Sequence, residues 1–466
     1  MKKLPFRLSP MVVLLCGTMF STQVHAQDQL DEIVVTAQKR SESSQKVPLS
    51  ITALSGDSIR DLGWSSISDA LTQVPNVQLD PSNARTSPQF RIRGVGSEDF
   101  NVAGQSPVGV YINEVYINNN RGRGAALYDL DRIEVLRGPQ GTLWGKNTTA
   151  GAIHFVTKRP SWDTEGYALG SIGSIDGRGY TGYIEGAVGG ALKDDVLAVR
   201  FATKVERTDN WIKNENPNGE DLGGFHSESG RLSLLWKPSS QFDATLIGTY
   251  TNFSGEPGVS HNVGTDIYGY SERPGIGYDT NLNSTTFTNR SKVYNLTLSA
   301  EWRPSDWTVN SISAFNRVRS RFRTDDDLGP VEGIYWQPPG NADQYSQEVR
   351  LSSPVDRPLR GIFGAYFFAE NLDSDYDLNF SRVPFDPSDP TGFSVADIFG
   401  KQPLVPGADS LVVKSTEDRK RRSYALFASG EYDITPSLTL SGGVRWTWDK
   451  ESIDLDLLHY WVKGFG

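Results

Sequence analysis

After Pro160 the chain alternates apolar and polar residues in stretches of about ten residues, the length of a tilted membrane-crossing strand. Tyr294, Leu296, Leu298, Ala300 and Trp302 fall on one face, and Asn295, Thr297, Ser299 and Glu301 on the other. Leu438, Leu440, Gly442, Val444, Trp446 and Trp448 repeat the pattern against Thr439, Ser441, Gly443, Arg445 and Thr447. Leu197, Val199, Phe201 and Val205 do so against Arg200, Lys204 and Glu206. A period of two is the strand signature. Charges recurring on one face, with aromatics near the ends of the other, fit a polar lumen and a lipid belt. Downstream of residue 26 no apolar run approaches the roughly 18 residues of a membrane helix. If this chain crosses a membrane, it does so as a β-barrel, which hides every strand edge from lipid.

The connections point the same way. Tight links at Asp194 and Asp195, 238–240, 304–306 and 435–437 alternate with long polar ones at 208–225, 253–290, 323–342 and 372–420. Short turns on one side and long loops on the other is the bacterial outer-membrane arrangement. A secreted β-sandwich or adhesin also alternates, but its loops seldom segregate by length so regularly. The spacing yields roughly eleven strands, an odd and small number for a single-chain bacterial barrel. The expectation for 161–466 is therefore a partial antiparallel transmembrane β-barrel.

Residues 1–26 read as a signal peptide. Lys2, Lys3 and Arg7 form a positive start, 11–20 is a short apolar core, and Val24-His25-Ala26 offers a small residue at the cleavage position. The single cysteine, Cys16, lies inside this leader and follows Leu14 and Leu15, not the small residues of a lipoprotein signal. The mature chain would hold no thiol, which suits an oxidising compartment and excludes disulfides, thiolate metal sites and cysteine catalysis. The net charge is −10, and the leader contains cations but no acid. The mature chain is thus more acidic still, a poor candidate for nucleic-acid binding.

Residues 27–46 are polar apart from Ile33, Val34 and Val35, and read as an extended tail. A small α+β domain is expected at 47–160. Val47, Leu49, Ile51 and Ala53 alternate with Pro48, Ser50 and Thr52, a half-buried strand. Asp57 is placed to cap a short helix and Gly63 to stop it. Ser66 and Asp69 have capping-box spacing for a second helix, with Ile67, Ala70, Leu71 and Val74 on its apolar face before Pro75. Short strands are expected at 90–93, 108–112, 132–136 and 152–157. Roughly 115 residues is a normal size for one core.

Little in this domain points to chemistry. Gly141 to Asn147 has the look of a phosphate loop, but the spacing is one residue short and Asn147 stands where Ser or Thr is required. His154 lies in an alternating strand and reads as structural, and no His/Asp/Glu cluster has metal-ligand spacing. The histidines at 154, 226, 261 and 459 come with no nucleophile motif, so a barrel-borne protease or acyl hydrolase is not expected.

Three stretches together resemble the TonB-dependent outer-membrane receptors. Asp31-Glu32-Ile33-Val34-Val35-Thr36-Ala37 looks like that family's TonB box. Phe90-Arg91-Ile92-Arg93-Gly94 is similar to part of its plug. The third is the run from Ile133 to Ile153, with Arg137-Gly138-Pro139-Gln140-Gly141-Thr142-Leu143-Trp144-Gly145 at its centre and Thr157-Lys158-Arg159-Pro160 beyond, similar to the plug's ending. With order and spacing right, the resemblance covers the whole chain. It implies a periplasmic tail at 27–46, a plug at 47–160 and a barrel of about twenty-two strands, of which 161–466 holds about half.

The resemblance implies energy-coupled import of a scarce ligand across the outer membrane of a Gram-negative cell. A ferric siderophore, as in the ferrichrome-type branch, is the leading cargo. The alternatives are oligosaccharide, haem or a vitamin, or a truncated receptor without function. An open porin or structural adhesin is disfavoured by the plug and the box. The implied partners are the periplasmic protein TonB, the ligand and outer-membrane lipid. No cofactor is implied, because iron sits inside its chelator. An extended 31–37 segment can join a partner by strand addition, backbone hydrogen bonds giving affinity and alternate side chains selectivity. Arg93 and Arg137 match plug arginines that pair with barrel carboxylates, a charge-assisted lock that holds yet can break. Ligand contacts in the family come from outward plug loops, here about 80–88, 96–107 and 118–124, and from outer barrel loops. The candidates are Arg85, Phe100, Arg121, Arg123, Tyr335, Trp336 and Tyr345.

Overall fold

The computed structural model describes residues 33–64, 66–79, 87–97, 99, 103–123, 128–175, 177–216, 219–255, 280–281, 288–325, 334–337, 340–381 and 410–462. The expected leader, most of the plug loop at 80–88 and much of the long loops after residue 255 lie outside them. The short elements come first in the chain. They are β1 (Val34–Val35), β2 (Glu42–Ser43), β3 (Ile51–Ser55), α1 (Gly56–Asp61), α2 (Ile67–Leu71), β4 (Val77–Leu79), β5 (Phe90–Ile92) and β6 (Val95–Gly96). They continue with β7 (Val108–Ile112), β8 (Val115–Tyr116), β9 (Leu130–Arg137), α3 (Gly141–Trp144) and β10 (Gly151–Thr157).

Local chemistry explains these starts and stops. The Ser66 hydroxyl accepts from the Asp69 amide at 3.2 Å, and the Asp69 carboxylate accepts from the Ser66 amide at 2.9 Å, a complete capping box for α2. In α1 the cap is Ser55, not Asp57: the helix begins at Gly56, and the Ser55 hydroxyl accepts from the Ser58 amide at 3.1 Å. Asp57 then sits in the first turn, where the helix dipole favours a carboxylate. The plug sheet has the order β3-β9-β10-β7-β8, antiparallel except for the parallel pair β10 and β7. The central strand β10 is buried almost throughout, as a strand covered on both faces must be. Ile153 faces Val135 on one side and Val110 on the other, and these join Ile59, Leu71, Phe90, Ile92 and Ile133 in the main core. Gly151 is required by close packing, because a Cβ there would lie 2.2 Å from the Leu136 carbonyl oxygen.

The long strands follow: β11 (Glu165–Ile175), β12 (Gly179–Lys193), β13 (Leu197–Thr208), β15 (Phe225–Ser239), β16 (Phe242–Gly255), β18 (Thr288–Trp302) and β19 (Thr308–Asp325). Then come β20 (Ile334–Gln337), β21 (Gly340–Ser352), β22 (Leu359–Ser381), β23 (Ser410–Thr435) and β24 (Leu438–Val462). Two short loop strands, β14 (Lys213–Asn214) and β17 (Thr280–Asn281), pair with each other. Among the described residues the long strands form one 12-stranded sheet in chain order, with β20 and β21 both set between β19 and β22. Every pairing in it is antiparallel. The chain is therefore mostly β, a small α+β plug followed by a large antiparallel wall.

Alternation sorts the wall's two faces. Arg200, Lys204, Arg231, Asn316, Gln344, Glu348, Glu370 and Arg421 are buried toward the plug, while Phe201, Leu232, Leu296, Phe363, Leu426 and Trp446 are exposed on the outside. A row of outward aromatics crosses the strands: Tyr250 stacks on Tyr294 at 5.0 Å, Tyr345 on Phe367 at 6.0 Å, and Phe367 on Tyr424 at 5.1 Å. Phe315 lies opposite Tyr345, and Trp448 opposite Tyr424. Such a row is the interfacial girdle of a membrane barrel. Among the described residues no helix is long and apolar enough to cross a membrane.

Candidate functional site

The first site is where residues 33–39, expected to hold the box, meet the plug. Lys39 takes a left-handed backbone (φ 61°), which turns the chain so that β1 pairs antiparallel with β2, Val34 opposite Ser43 and Val35 opposite Glu42. This sheet has only two strands among the described residues, so β1 keeps one edge without a strand neighbour. Alternation splits the segment: Ile33 and Val34 are exposed, whereas Val35 and Ala37 are fully buried. Both pack with Val47, Tyr111, Leu136, Trp144, Ala152 and the wall residue Phe368.

Polar bonds then latch the segment down. The Glu134 carboxylate on β9 accepts from the Thr36 amide at 2.8 Å and from its hydroxyl at 3.0 Å. Arg132 donates to the same oxygen at 2.7 Å. His154 Nε2 accepts the Glu114 amide at 3.0 Å, which puts the ring proton on Nδ1, facing the other Glu134 oxygen at 3.5 Å. The Trp144 indole donates to the Ala37 carbonyl at 2.7 Å. The Lys39 ammonium lies 4.0 Å from the Trp144 ring centroid and 3.2 Å from Glu114, which Arg350 on β21 also holds at 2.5 Å. The sequence alone does not point to Glu134, Glu114 or Lys39 as holders of residues 34–37, because Thr36 and Glu134 lie 98 residues apart. His154 is accounted for by these bonds.

Burial alone would raise the Glu134 carboxyl. The His154 hydrogen bond, the Arg132 charge and the Thr36 amide outweigh it and bring it down to about 2. A depressed carboxylate adds stability above its unfolded value, about 4.3, and loses it only as pH falls through the folded value. The latch is therefore expected to hold unchanged between pH 5 and 8, which hydrogen exchange at residues 34–37 would check. Glu134→Gln keeps the shape but removes the charge, and is expected to speed exchange of the Thr36 amide by about tenfold or more, since bonds to charged groups contribute about 1.5–3 kcal/mol. Trp144→Phe removes one donor and should loosen the segment less, by about 1 kcal/mol.

The second site is the contact between plug and wall. Asp129, 3% exposed and just ahead of β9, takes both oxygens to the wall. Arg200 on β13 grips it with two donors, one at 2.8 Å, and Arg231 on β15 donates at 3.0 Å to its carboxylate and at 2.8 Å to its carbonyl. Burial alone would raise this carboxyl, and the two guanidinium groups hold it below the usual range. Farther round, the Asn118 amide group donates to both Glu370 oxygens at 2.9 and 2.7 Å. Arg421 joins Glu370 at 3.1 Å and the Ala103 carbonyl at 2.6 Å. Glu114 is held well below the carboxylate range, because Arg350 and Lys39 outweigh the effect of its burial. At Asp129 and Glu114 the plug supplies the carboxylate and the wall the arginines, whereas at Lys39 with Glu348 and Lys146 with Asp449 the plug supplies the cation.

Arg93 and Arg137 stand apart from these contacts. Arg93 is exposed, and Arg137 donates to the Pro75 carbonyl at 3.2 Å. Among the described residues neither meets a wall carboxylate. Arg121 and Arg123, expected in an outward loop, are buried against the wall. Arg121 stacks on Phe322 with 4.5 Å to its ring centroid and reaches Asn289 at 3.4 Å, and burial pushes it down to about 10. Arg123 donates to the Asn118 carbonyl at 2.7 Å. Tyr345 points away from the plug and belongs to the aromatic girdle, because the plug-facing positions of β21 are the even ones, such as Gln344 and Glu348. Tyr335 and Trp336 lie on β20, their side chains outside the described residues. Arg85, Phe100, Asp31 and Glu32 lie outside them altogether. In the loop that looked like a phosphate cradle, Lys146 turns to Asp449 on β24 at 3.2 Å.

Comparison with known proteins agrees with this geometry. The family model described as the TonB-dependent receptor plug domain matches residues 43–152, and that described as the TonB dependent receptor-like β-barrel matches 235–456. The chain is 26% identical over 454 residues to the pesticin receptor of Yersinia pestis, covering 96% of this chain and 60% of that protein. It is 27% identical over 318 residues to the vitamin B12 transporter BtuB of Vibrio vulnificus, covering 63% of this chain and 48% of that one. Among solved structures it is similar to the ferric yersiniabactin uptake receptor FyuA from Yersinia pestis, with TM-score 0.67, 21% identity and coverage of 88% and 61%. It is also similar to the ferripyoverdine receptor of Pseudomonas aeruginosa, with TM-score 0.64, 15% identity and coverage of 92% and 56%. The chain spans about 60% of the length of the first of these relatives.

Proposed function

The chain belongs to the TonB-dependent receptor family, and on that premise we propose that it is an outer-membrane receptor importing a scarce, bulky ligand, a ferric siderophore first. The observation that carries the reading is the box segment, fastened to the plug by Glu134 and Trp144 with one edge of β1 open to a further strand. A periplasmic partner of the TonB type would add its own strand at that edge. Force applied there reaches Glu114 and Arg350, and so both plug and wall, through Lys39. The plug is held against the wall by these contacts, and in this reading ligand enters only when they yield. Export with removal of residues 1–26 is part of the same reading, as is a role for Arg93 and Arg137 toward carboxylates elsewhere in a barrel. The chain itself works as a transport receptor, without a reaction to catalyse.

The siderophore is favoured over a vitamin by the relatives, whose names refer to siderophores or their ferric complexes more often than to B12. The test is a whole-cell panel. Ferric siderophores of several chelator classes, haem, cobalamin and maltooligosaccharides would be offered to cells whose own receptors are deleted. Uptake of one ferric siderophore, lost when the energy-coupling protein is deleted, is the expected result. Uptake of cobalamin or sugar alone would replace the cargo, and uptake independent of energy coupling would overturn the mechanism.

A further inference from the structure

Most of the arginines buried between plug and wall are balanced within the chain. Arg200 and Arg231 share Asp129, Arg350 holds Glu114, and Arg421 joins Glu370. Arg123 lies close enough to Glu370 to feel its charge. Arg121 is the exception. It is 4% exposed, and among the described residues no carboxylate pairs with it. The hydrogen bond that its side chain makes, to Asn289, is long at 3.4 Å, and its Nε has no partner. Arginine keeps its proton in a protein, so Arg121 is a cation taken out of water. Such a charge is costly unless an opposite one lies against it. The Phe322 ring, 4.5 Å away, offsets part of the cost but carries no net charge.

The surroundings add donors and no anion. Asn119 spends its Oδ1 on the Arg121 amide at 3.0 Å, which leaves its Nδ2 buried and without a partner. Ser291 on β18 is 1% exposed, and its hydroxyl is likewise unpartnered. It stands two residues from Asn289, on the same plug-facing side of the strand. The facing positions of β19 are Val318, Ser320 and Phe322, and the Ser320 hydroxyl is taken up by the Gly340 carbonyl at 2.8 Å. Gly122 keeps the plug turn close to this strand, since a Cβ there would lie 3.3 Å from a Val318 methyl. A guanidinium, a carboxamide nitrogen and a hydroxyl, all with protons to give, form the donor set of an anion site. One uncompensated positive charge calls for one negative charge, so a divalent phosphate would only reverse the imbalance.

We propose that the seam between plug and wall at Arg121, Asn119 and Ser291 binds a small monovalent anion, chloride in ordinary media, which completes the contact where the chain supplies no carboxylate. The anion is a fixture of the seam and is separate from the imported ligand. It does at β18 and β19 what Asp129 does at β13 and β15.

The test follows the full chain in detergent micelles by differential scanning calorimetry, as chloride replaces gluconate, a far bulkier anion, at constant ionic strength. The plug transition is expected to rise with chloride and to level off about 4 °C or more higher. Arg121→Gln, which removes the charge that needs an anion, should melt at one temperature in both salts. Equal melting of the wild type in the two salts overturns the site, as does a folded Arg121→Gln protein that keeps the chloride dependence. Crystals of the wild type grown in bromide give a reading that needs no variant. An anomalous peak beside the Arg121 guanidinium is the expected result, and a featureless map there overturns the proposal.

Discussion

Cells carrying Val34→Pro are expected to bind ligand at their surface as the parent does, and to accumulate it only at background level. Proline removes the amide at the one exposed position of β1, and strand addition needs that donor on the open edge. The fold should be indifferent. Val34 contributes nothing to the buried cluster, and its pairing with Ser43 is one rung of a two-residue ladder. Weaker stowage of the segment would, if anything, make it easier to capture. Val34→Ala keeps the amide and should import normally. The measurement is accumulation of labelled ligand against surface binding in the same cells. Undiminished accumulation by the proline variant would remove the box from the mechanism.

The largest effect on stability is expected at Asp129→Asn. Asparagine tolerates the left-handed backbone found there (φ 46°), so the change isolates the charge. Arg200 and Arg231, 2% and 5% exposed, would be left facing a neutral amide. Breaking a buried pair in this way costs about 3–5 kcal/mol. Arg200 keeps a second bond to Glu165 at 3.0 Å, which places the expectation toward the lower end. Differential scanning calorimetry should show the plug transition moving down relative to that of the wall. Planar-bilayer recordings should show bursts of conductance that the parent lacks. A shift equivalent to less than about 1 kcal/mol would mean that solvent screens this contact and that the plug is held elsewhere.

What could be read from the sequence divides along a physical line. Period-two alternation depends only on nearby residues, so the faces of β13, β18 and β24 follow directly from the positions of Phe201, Leu296 and Trp446. The Ser66 and Asp69 box is equally local. The cap of α1 lies two residues before the expected Asp57, because Ser55 and Asp57 are both good caps and only the backbone turn chooses between them. The plug contact was harder. Asp129, Glu114 and Asn118 sit in short irregular stretches, and their partners Arg200, Arg350 and Glu370 lie 71, 236 and 252 residues away. Arg200 was visible as a charge on a polar face, which in hindsight calls for a carboxylate from inside. Tyr345, expected at a ligand site, lies in the outward aromatic row for a related reason. An aromatic near a long loop fits a ligand site as well as a girdle, and only parity along β21 separates the two.

On the proposed function, the place of residues 33–39 within the chain has a mechanical meaning. Residues 33–39 precede β3, which lies at the edge of the plug sheet, and β3 pairs only with β9 among the described strands. Tension entering at Val34 therefore meets the fastenings one after another: Thr36 on Glu134, Ala37 on Trp144, Lys39 on Glu114, and then the five rungs of β3. Bonds loaded in series fail at the strength of the weakest, not at their sum, so the molecule can be opened like a zip by a modest pull. The central strand β10, flanked on both sides, is the last to feel it. A small travel of the tail would then free the β3 edge of the plug while β10 and its neighbours stay folded.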